Sequence, residues 1–269
     1  MPSAPTGPAL EFADVTKRFR DGTVALAGVD LEVAVGEFVS VVGPSGCGKS
    51  TLLRIASGLS QATGGTVTVQ TGKGKIGYVF QDPTLLPWRS VQANVELLAE
   101  LDGLPKAERR RRANNAINLV GLGEFTGHRP HALSGGMRMR VSLARALTLQ
   151  PELFLFDEPF GALDEITRQR LNDELLQLYL TQRFTALFVT HSVTEAVFIS
   201  TRVVVLSGRP GRVLGDFPVP FAYPRPPGLR FGQDFAQLAG KVSACLRGEL
   251  PHLSGPPLLD HPVQGRTRR

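Results

Sequence analysis

A glycine-rich stretch from Gly43 to Thr51 has the residue types and the spacing of a phosphate-binding loop. It fits the pattern G-x-x-x-x-G-K-[ST] at every fixed position. Glycines let backbone N–H groups turn inward around a phosphate without a clash of a Cβ atom. Lys49 would then reach the β- and γ-phosphates of a nucleotide, and the Ser50 hydroxyl would hold Mg²⁺. The candidate phosphate ligands are Gly43, Pro44, Ser45, Gly46, Cys47, Gly48, Lys49, Ser50 and Thr51.

The residues on either side of this phosphate loop predict a strand before it and a helix after it. The apolar run 38–42 indicates a buried strand. Leu52, Ile55, Ala56 and Leu59 then recur at the spacing of an amphipathic helix. The loop would therefore end at a helix N-terminus, where the helix dipole favours an anion.

Two adjacent carboxylates follow another apolar run. The run 153–156 predicts a central parallel strand, and it is followed by Asp157 and Glu158. Carboxylates at the tip of a buried strand are costly unless something uses them. Polar residues also follow the strand-like runs 76–80 and 185–190, namely Gln81 and His191. Ligands of α/β proteins bind at the carboxyl ends of strands, although a polar residue such as Gln81 can also simply end a strand.

The order of strand-like and helix-like segments predicts an α/β fold in which a phosphate-loop core carries two additions. Residues 9–42 alternate short strand patterns with turns and predict an antiparallel β portion. Residues from about 83 to 150 have helical spacing and predict an inserted helical subdomain. We expect one domain over residues 1–215 and a Pro-rich, basic C-terminal extension over 216–269.

Within this extension, one amphipathic helix is expected from the apolar residues of 231–246, and disorder from about Pro251 onward. The run 203–206 is expected to be the last strand of the chain. The helix has three possible docking sites, which are its own domain, a second subunit or a regulator. The apolar residues at helical spacing are Phe231, Phe235, Leu238, Val242, Cys245 and Leu246.

Composition narrows the class of protein. The chain has 269 residues, is 42% hydrophobic, and has no apolar run near the ~20 residues that span a bilayer. Two cysteines and an N-terminus without a signal-peptide pattern favour a reducing, cytosolic setting. The net charge is +6, of which residues 207–269 carry +5. A basic tail can bind nucleic acid or anionic lipid, but an ordinary solvated surface is the more common reason, and 109–112 is best read as a solvated helix face.

Several motifs in a fixed order extend this interpretation. Residues 133–137 read Leu-Ser-Gly-Gly-Met ahead of a helical pattern, 157–159 read Asp-Glu-Pro, and 161–164 read Gly-Ala-Leu-Asp. Together with the phosphate loop, Gln81 and His191, they resemble the ATP-binding subunit of an ABC transporter. The resemblance covers roughly residues 10–212. Its most specific part is the Leu-Ser-Gly-Gly signature between a phosphate loop and an Asp-Glu strand end. It implies a P-loop ATPase core.

The resemblance implies a role for each matching residue in MgATP hydrolysis. Phe19 would stack on adenine, although its position alone is equally consistent with an ordinary core residue. Gln81 would touch Mg²⁺ or the attacking water, and Asp157 would help to hold Mg²⁺. Glu158 would be the general base, and His191 would contact the γ-phosphate. Three residues of the signature and one loop aspartate would act across a head-to-tail dimer of ATP-binding subunits, on the ATP of the other copy: Ser134, Gly135, Gly136 and Asp164.

Three segments are similar to the importers of nitrate, sulfonate, taurine and related small solutes: 81–88, 158–164 and 207–212. The implied partners are an integral membrane permease and, indirectly, a solute-binding protein, which would place the chain peripherally on the cytoplasmic face of the inner membrane. No nucleic acid is expected as a partner. Trp88 lies where the family contacts the permease, but a buried anchor of the helical subdomain is an equal alternative. Three positions depart from the common family pattern without removing a phosphate ligand: Met137, Met139 and Ser192.

Other functions compete with solute import. An exporter ATPase with a separate membrane chain is disfavoured only by the subfamily resemblance. Soluble ABC ATPases of repair or translation usually have tandem nucleotide domains or zinc-spaced cysteine pairs, and this chain has one motif set and two cysteines. A regulatory module without turnover is disfavoured because both Glu158 and His191 are present.

Overall fold

The structure is a computed structural model that describes residues 7–70 and 76–249. The strands are β1 (Leu10–Arg18), β2 (Val24–Val33), β3 (Phe38–Val42), β4 (Gly64–Val69), β5 (Ile76–Val79), β6 (Leu153–Asp157), β7 (Thr185–Thr190), β8 (Arg202–Leu206) and β9 (Val213–Pro218). The α-helices are α1 (Lys49–Ala56), α2 (Val91–Leu101), α3 (Lys106–Leu119), α4 (Gly135–Leu147), α5 (Glu165–Gln182), α6 (Val193–Ile199) and α7 (Gln233–Leu246).

Two sheets form the framework, and they confirm the predicted α/β fold class. A six-stranded sheet has the order β5-β6-β7-β3-β8-β9 and is parallel except for β9. A three-stranded antiparallel sheet has the order β2-β1-β4. Every residue of β3, β6 and β7 is buried. Parallel strands that are covered on both faces read as continuous apolar runs, which is why these strands could be recognised in the sequence.

The large sheet separates two apolar layers. One layer packs α5, α6 and α7 onto the sheet around a group of aromatic rings that includes Phe38, Phe156 and Phe188. The other layer packs α1 and the antiparallel sheet onto the opposite face. Both layers anchor the strands whose carboxyl ends carry the predicted site residues.

The inserted helices form a subdomain with its own core. Helices α2, α3 and α4 pack around buried apolar residues that include Val95, Ile117 and Val141. The buried Asn94 holds the loop before α2, because its side-chain amide accepts from the Leu86 N–H at 2.8 Å and donates to the carbonyl of Arg89 at 3.1 Å. A buried polar side chain that satisfies backbone groups in this way fixes the loop that carries Trp88.

Some of the predicted element boundaries are wrong. Helix α1 ends at Ala56, and Leu59 is 65% exposed, because Gly58 takes a φ of +77° and turns the chain out of the helix. The run at 203–206 is not the last strand, since β9 pairs antiparallel with β8 and crosses the expected boundary at 215/216. Phe231 lies before α7 and is 87% exposed.

The C-terminal helix docks on its own domain. Phe235, Val242 and Cys245 of α7 are buried, and α7 contacts α6, β8 and β9. Of the three docking sites considered for this helix, the structure therefore shows the first. The disorder expected from about Pro251 lies outside the described residues. None of the helices in the described part of the chain is both long and apolar enough to span a lipid bilayer.

Candidate nucleotide-binding site

Four neighbouring strands of the parallel sheet end in predicted site residues. β3 leads into the phosphate loop, and β7, β6 and β5 follow it in order across the sheet. At their carboxyl ends lie His191 after β7, Asp157 and Glu158 at β6, and Gln81 two residues beyond β5. Because carboxyl ends of parallel strands share one edge, the fold gathers these residues beside the phosphate loop.

The phosphate loop has the backbone conformation that its glycines permit. Gly46 and Gly48 have φ angles of +73° and +109°. At Gly48 a Cβ atom would also lie only 2.8 Å from the carbonyl oxygen of Ala25, so no larger residue fits there. Helix α1 begins directly afterwards, at Lys49. The loop therefore presents a helix N-terminus and inward-turning N–H groups, which together favour an anion.

Lys49 is a buried cation whose bonds all lie inside the site. Its side chain is 4% exposed, and Nζ donates to the carbonyl oxygens of Gly43 at 2.8 Å and Pro44 at 3.0 Å. Nζ also lies 3.5 Å from Oε1 of Glu158. A buried ammonium needs such acceptors to offset its lost hydration. A phosphate group would supply stronger, charged acceptors in the same place.

Glu158 connects Lys49 with His191. Its other carboxylate oxygen, Oε2, lies 3.2 Å from Nδ1 of His191. The Glu158 backbone has a φ of +46°, in the left-handed region that is uncommon for residues other than glycine, and its N–H donates to the Val189 carbonyl at 3.0 Å. Such backbone strain is often found at functional sites, and here it turns the Glu158 side chain toward the phosphate loop.

Asp157 bonds to two hydroxyl groups. Oδ1 accepts from Ser50 Oγ at 2.7 Å, and Oδ2 accepts from the Tyr78 hydroxyl at 3.2 Å. Burial raises the pKa of Tyr78 above its usual range, and the negative charge of Asp157 raises it further. The Tyr78 hydroxyl therefore stays a proton donor. A hydroxyl beside a carboxylate is a set of hard oxygen ligands, which suits Mg²⁺. Tyr78 is not among the predicted site residues, although its hydroxyl inside an apolar strand is a signal that could have found it.

The signature and the loop aspartate cap two helices that adjoin each other. Ser134 Oγ accepts from the Met137 N–H at 3.2 Å and caps α4, and Asp164 Oδ1 accepts from the Thr167 N–H at 3.0 Å and caps α5. This backbone hydrogen bond lowers the pKa of Asp164, which stays ionised. A Cβ atom at Gly136 would lie 3.1 Å from the Thr167 side chain. The two helix N-termini therefore form one surface.

This surface is separate from the phosphate loop of the same chain. Among residues 7–70 and 76–249, no hydrogen bond or ion pair joins Ser134, Gly135 or Gly136 to residues 43–51. Phe19 lies in the turn between β1 and β2, is 44% exposed, and has Lys17 Nζ 5.5 Å from its ring centre. The structure thus gathers the strand-end residues of the predicted site and leaves Phe19 and the signature at its periphery.

Trp88 is 68% exposed, so its interpretation as a buried anchor of the helical subdomain is wrong. Asn94 anchors the loop instead. An exposed tryptophan on a loop that a buried side chain holds in place is a suitable contact for another protein.

Comparison with known proteins identifies the family. The model of the family described as ABC transporter matches residues 26–161. The aliphatic sulfonates import ATP-binding protein SsuB 1 of Mesorhizobium japonicum is 44% identical over 89% of this chain and 89% of its own length. The nitrate import ATP-binding protein NrtD of Synechococcus elongatus is 43% identical over 80% of this chain and 83% of its own length.

A solved structure agrees with this result. The dimeric post-hydrolysis state of the ATP-binding cassette MJ0796, bound to ADP and Pi, superposes with a TM-score of 0.69. It is 32% identical in sequence, and the match covers 79% of this chain and all of that one. The chain therefore belongs to the ABC transporter family and is an ATP-binding cassette that hydrolyses ATP.

Proposed function

We propose that the chain energises the import of a small organic or inorganic anion, of the nitrate, sulfonate or taurine kind, through a separate membrane permease. The support is the identity of 43–44% to ATP-binding proteins named for sulfonate and nitrate import, over at least 80% of this chain. The segment 81–88, which is similar to that subfamily, ends in the exposed Trp88. A cytoplasmic, peripheral position on the inner membrane follows from this function.

The contacts of Lys49 support a hydrolytic mechanism in which the phosphates of ATP replace Glu158 as the charged partner of Lys49. Lys49 is now held by two carbonyls and Glu158. The β- and γ-phosphates of ATP would take over Lys49 and so release the Glu158 carboxylate. Glu158 then orients a water molecule and accepts its proton, while His191, 3.2 Å from Glu158, contacts the γ-phosphate.

The Ser50 hydroxyl and the Asp157 carboxylate would hold Mg²⁺, with Gln81 at the neighbouring strand end. Their oxygen atoms lie 2.7 Å apart and are of the type that Mg²⁺ prefers. The metal ion would neutralise charge on the phosphates during transfer. The role of this chain is to keep both oxygen ligands in place, which Tyr78 supports through its bond to Asp157.

Two copies of the chain would complete each site. The N-terminus of α4, with Ser134, Gly135 and Gly136, is an anion-binding element that lies away from its own phosphate loop. In a head-to-tail dimer it would close on the ATP of the other copy, beside Asp164. Phe19, exposed in its turn, would stack on the adenine of its own nucleotide.

Reconstitution with a permease tests the import function. The chain would be copurified with its cognate permease, placed in liposomes and supplied with a solute-binding protein loaded with nitrate, a sulfonate or taurine. We expect one of these solutes to stimulate ATP hydrolysis and to accumulate with ATP on the side of the ATPase. Transport in the opposite direction would overturn import. ATPase activity that responds to none of the three solutes would overturn the substrate class.

A further inference from the structure

The segment 207–212, between β8 and β9, lies directly against the phosphate loop. A Cβ atom at Gly211 would come within 2.4 Å of the Cys47 carbonyl oxygen, so only glycine fits this contact. Ser207 closes the segment, because its Oγ accepts from the Arg212 N–H at 2.9 Å. The segment is therefore a fixed wall of the nucleotide site, and we call it the wall loop.

Backbone hydrogen bonds tie the wall loop to β2 as well. The Gly211 N–H donates to the Ala25 carbonyl at 2.9 Å, and the Ala27 N–H donates to the Gly211 carbonyl at 3.1 Å. Ala25 is the residue whose carbonyl lies close to Gly48 of the phosphate loop. Backbone contacts thus hold the wall loop, β2 and the phosphate loop together. They fix the backbone position from which a side chain of the wall loop extends.

Arg209 of the wall loop grips the phosphate loop. Its Nε and Nη2 donate to the same acceptor, the Gly46 carbonyl oxygen, at 3.1 and 3.0 Å. The N–H of the same peptide unit belongs to Cys47 and donates to the Pro44 carbonyl at 3.3 Å. This peptide plane is therefore held at both ends, and Arg209 supplies the two charged bonds at its carbonyl end. Bonds to charged donors are shorter and stronger than neutral ones.

The position of Arg209 also places a positive charge beside the nucleotide site. Hydrogen bonds from Thr23 lower the pKa of Asp21, and the charge of Arg209 adds a smaller effect in the same direction. Asp21 lies in the turn that carries Phe19. The guanidinium thus lies against the phosphate loop, where its charge also acts on the aromatic turn. It is exposed and uses two of its five N–H donors on Gly46.

We propose that Arg209 is a positioning residue for the polyphosphate of the nucleotide. It fixes the Gly46–Cys47 peptide plane of the phosphate loop and adds a positive charge to the site. The inference rests on the proposed function of residues 43–51 as the phosphate ligands. The ligand chemistry is a nucleoside di- or triphosphate, because a fixed loop and a cation both act on the β- and γ-phosphates. AMP, which lacks these phosphates, would be bound independently of Arg209.

Equilibrium binding of MgATP and AMP to the full chain tests this proposal, by competition against a fluorescent ATP analogue. Arg209→Gln should weaken MgATP binding about fivefold, the factor that an exposed charge interaction contributes, and change AMP binding less than twofold. Arg209→Lys keeps the charge but not the fork of donors, and should lose about twofold. Arg212→Gln is the matched control, since it removes the same charge from an exposed residue of the same loop and should bind like the unaltered chain.

Three results would overturn the assignment. The first is MgATP binding by Arg209→Gln that equals binding by Arg212→Gln. The second is an equal loss for MgATP and AMP, which would mean that the loop is merely loosened. The third is an affinity of Arg209→Lys for MgATP no better than that of Arg209→Gln, provided that both variants have the melting temperature of the unaltered chain. If the unaltered chain itself does not bind MgATP, the phosphate-loop assignment fails first, and the role of Arg209 fails with it.

Discussion

Substitution of Glu158 by glutamine separates the chemical step from nucleotide binding. The Glu158 carboxylate lies between two partners, 3.5 Å from Lys49 Nζ and 3.2 Å from His191 Nδ1. Glutamine keeps the size and one acceptor oxygen but cannot take a proton from water. Because a positioned general base contributes about 10²–10⁴-fold, we expect kcat to fall by that factor.

The same substitution should not weaken the binding of MgATP. At an effective dielectric constant of about 20, two unit charges 3.5 Å apart attract by ~5 kcal/mol before any desolvation is counted. Glu158 keeps 20% of its exposure, and desolvation and solvent screening offset most of this, which leaves about 1 kcal/mol. In the proposed mechanism, ATP displaces Glu158 from Lys49. Removal of the charge therefore leaves the Kd for MgATP unchanged or lowers it by up to about fivefold.

Two measurements and one control check these numbers. Phosphate release at saturating MgATP gives kcat, and titration with a fluorescent nucleotide gives the Kd. Glu124→Gln removes a charge from an exposed glutamate of the helical subdomain and should change neither value. Hydrolysis by Glu158→Gln at the rate of the unaltered chain would refute the general-base role. A Kd raised more than tenfold would refute the exchange of partners at Lys49.

Three further predictions concern assembly, coupling and stability. Glu158→Gln should dimerise with MgATP in light scattering, and an added Ser134→Arg should abolish this; a dimer that persists would contradict the role of the signature. Trp88→Ala should keep basal ATPase activity within twofold and lose solute-stimulated transport. Phe231→Ala, which removes another exposed aromatic ring, is the control and should keep both activities. Equal loss of both activities by Trp88→Ala would indicate a folding role. Burial raises the pKa of Glu195, so its stabilising contribution is complete below the unfolded pKa and is lost as the pH rises through the folded one. Glu195→Gln should therefore raise Tm more at about pH 8 than at about pH 5, and a gain that does not change with pH would refute this reasoning.

The elements that carry the site could be predicted because their signals are local. β3, β6 and β7 are buried along their whole length, and such strands are nearly continuous apolar runs in the sequence. Each one is followed at once by residues that are polar or glycine-rich. The glycines of the phosphate loop are a local signal too, because each one permits a backbone conformation at its own position. The φ of +109° at Gly48 is an example.

Contacts between distant segments could not be predicted from the same patterns. Tyr78 meets Asp157, 79 residues further along the chain, and Arg209 meets Gly46 across 163 residues. Neither pairing leaves a local periodicity, since each one depends on which strands become neighbours. The exposure of Trp88 has a similar cause. Asn94 of α2 is the buried residue that holds the loop of Trp88. The large apolar side chain of Trp88 was therefore a misleading indicator of the core.

The placement of the two anion-binding helix ends would make one chain alone an incomplete ATPase under the proposed function. Helix α1 follows the glycines of the phosphate loop, and Ser134 caps the N-terminus of α4 on the surface shared with Asp164. A two-fold axis that pairs the phosphate loop of each copy with the α4 N-terminus of the other makes an isologous interface with two equal sites. Each γ-phosphate would then meet donors from both chains. In the proposed dimer, hydrolysis at Glu158 would remove one of the contacts that hold the copies together. Under the proposed function, loss of this phosphate would thus produce a movement that a permease can use.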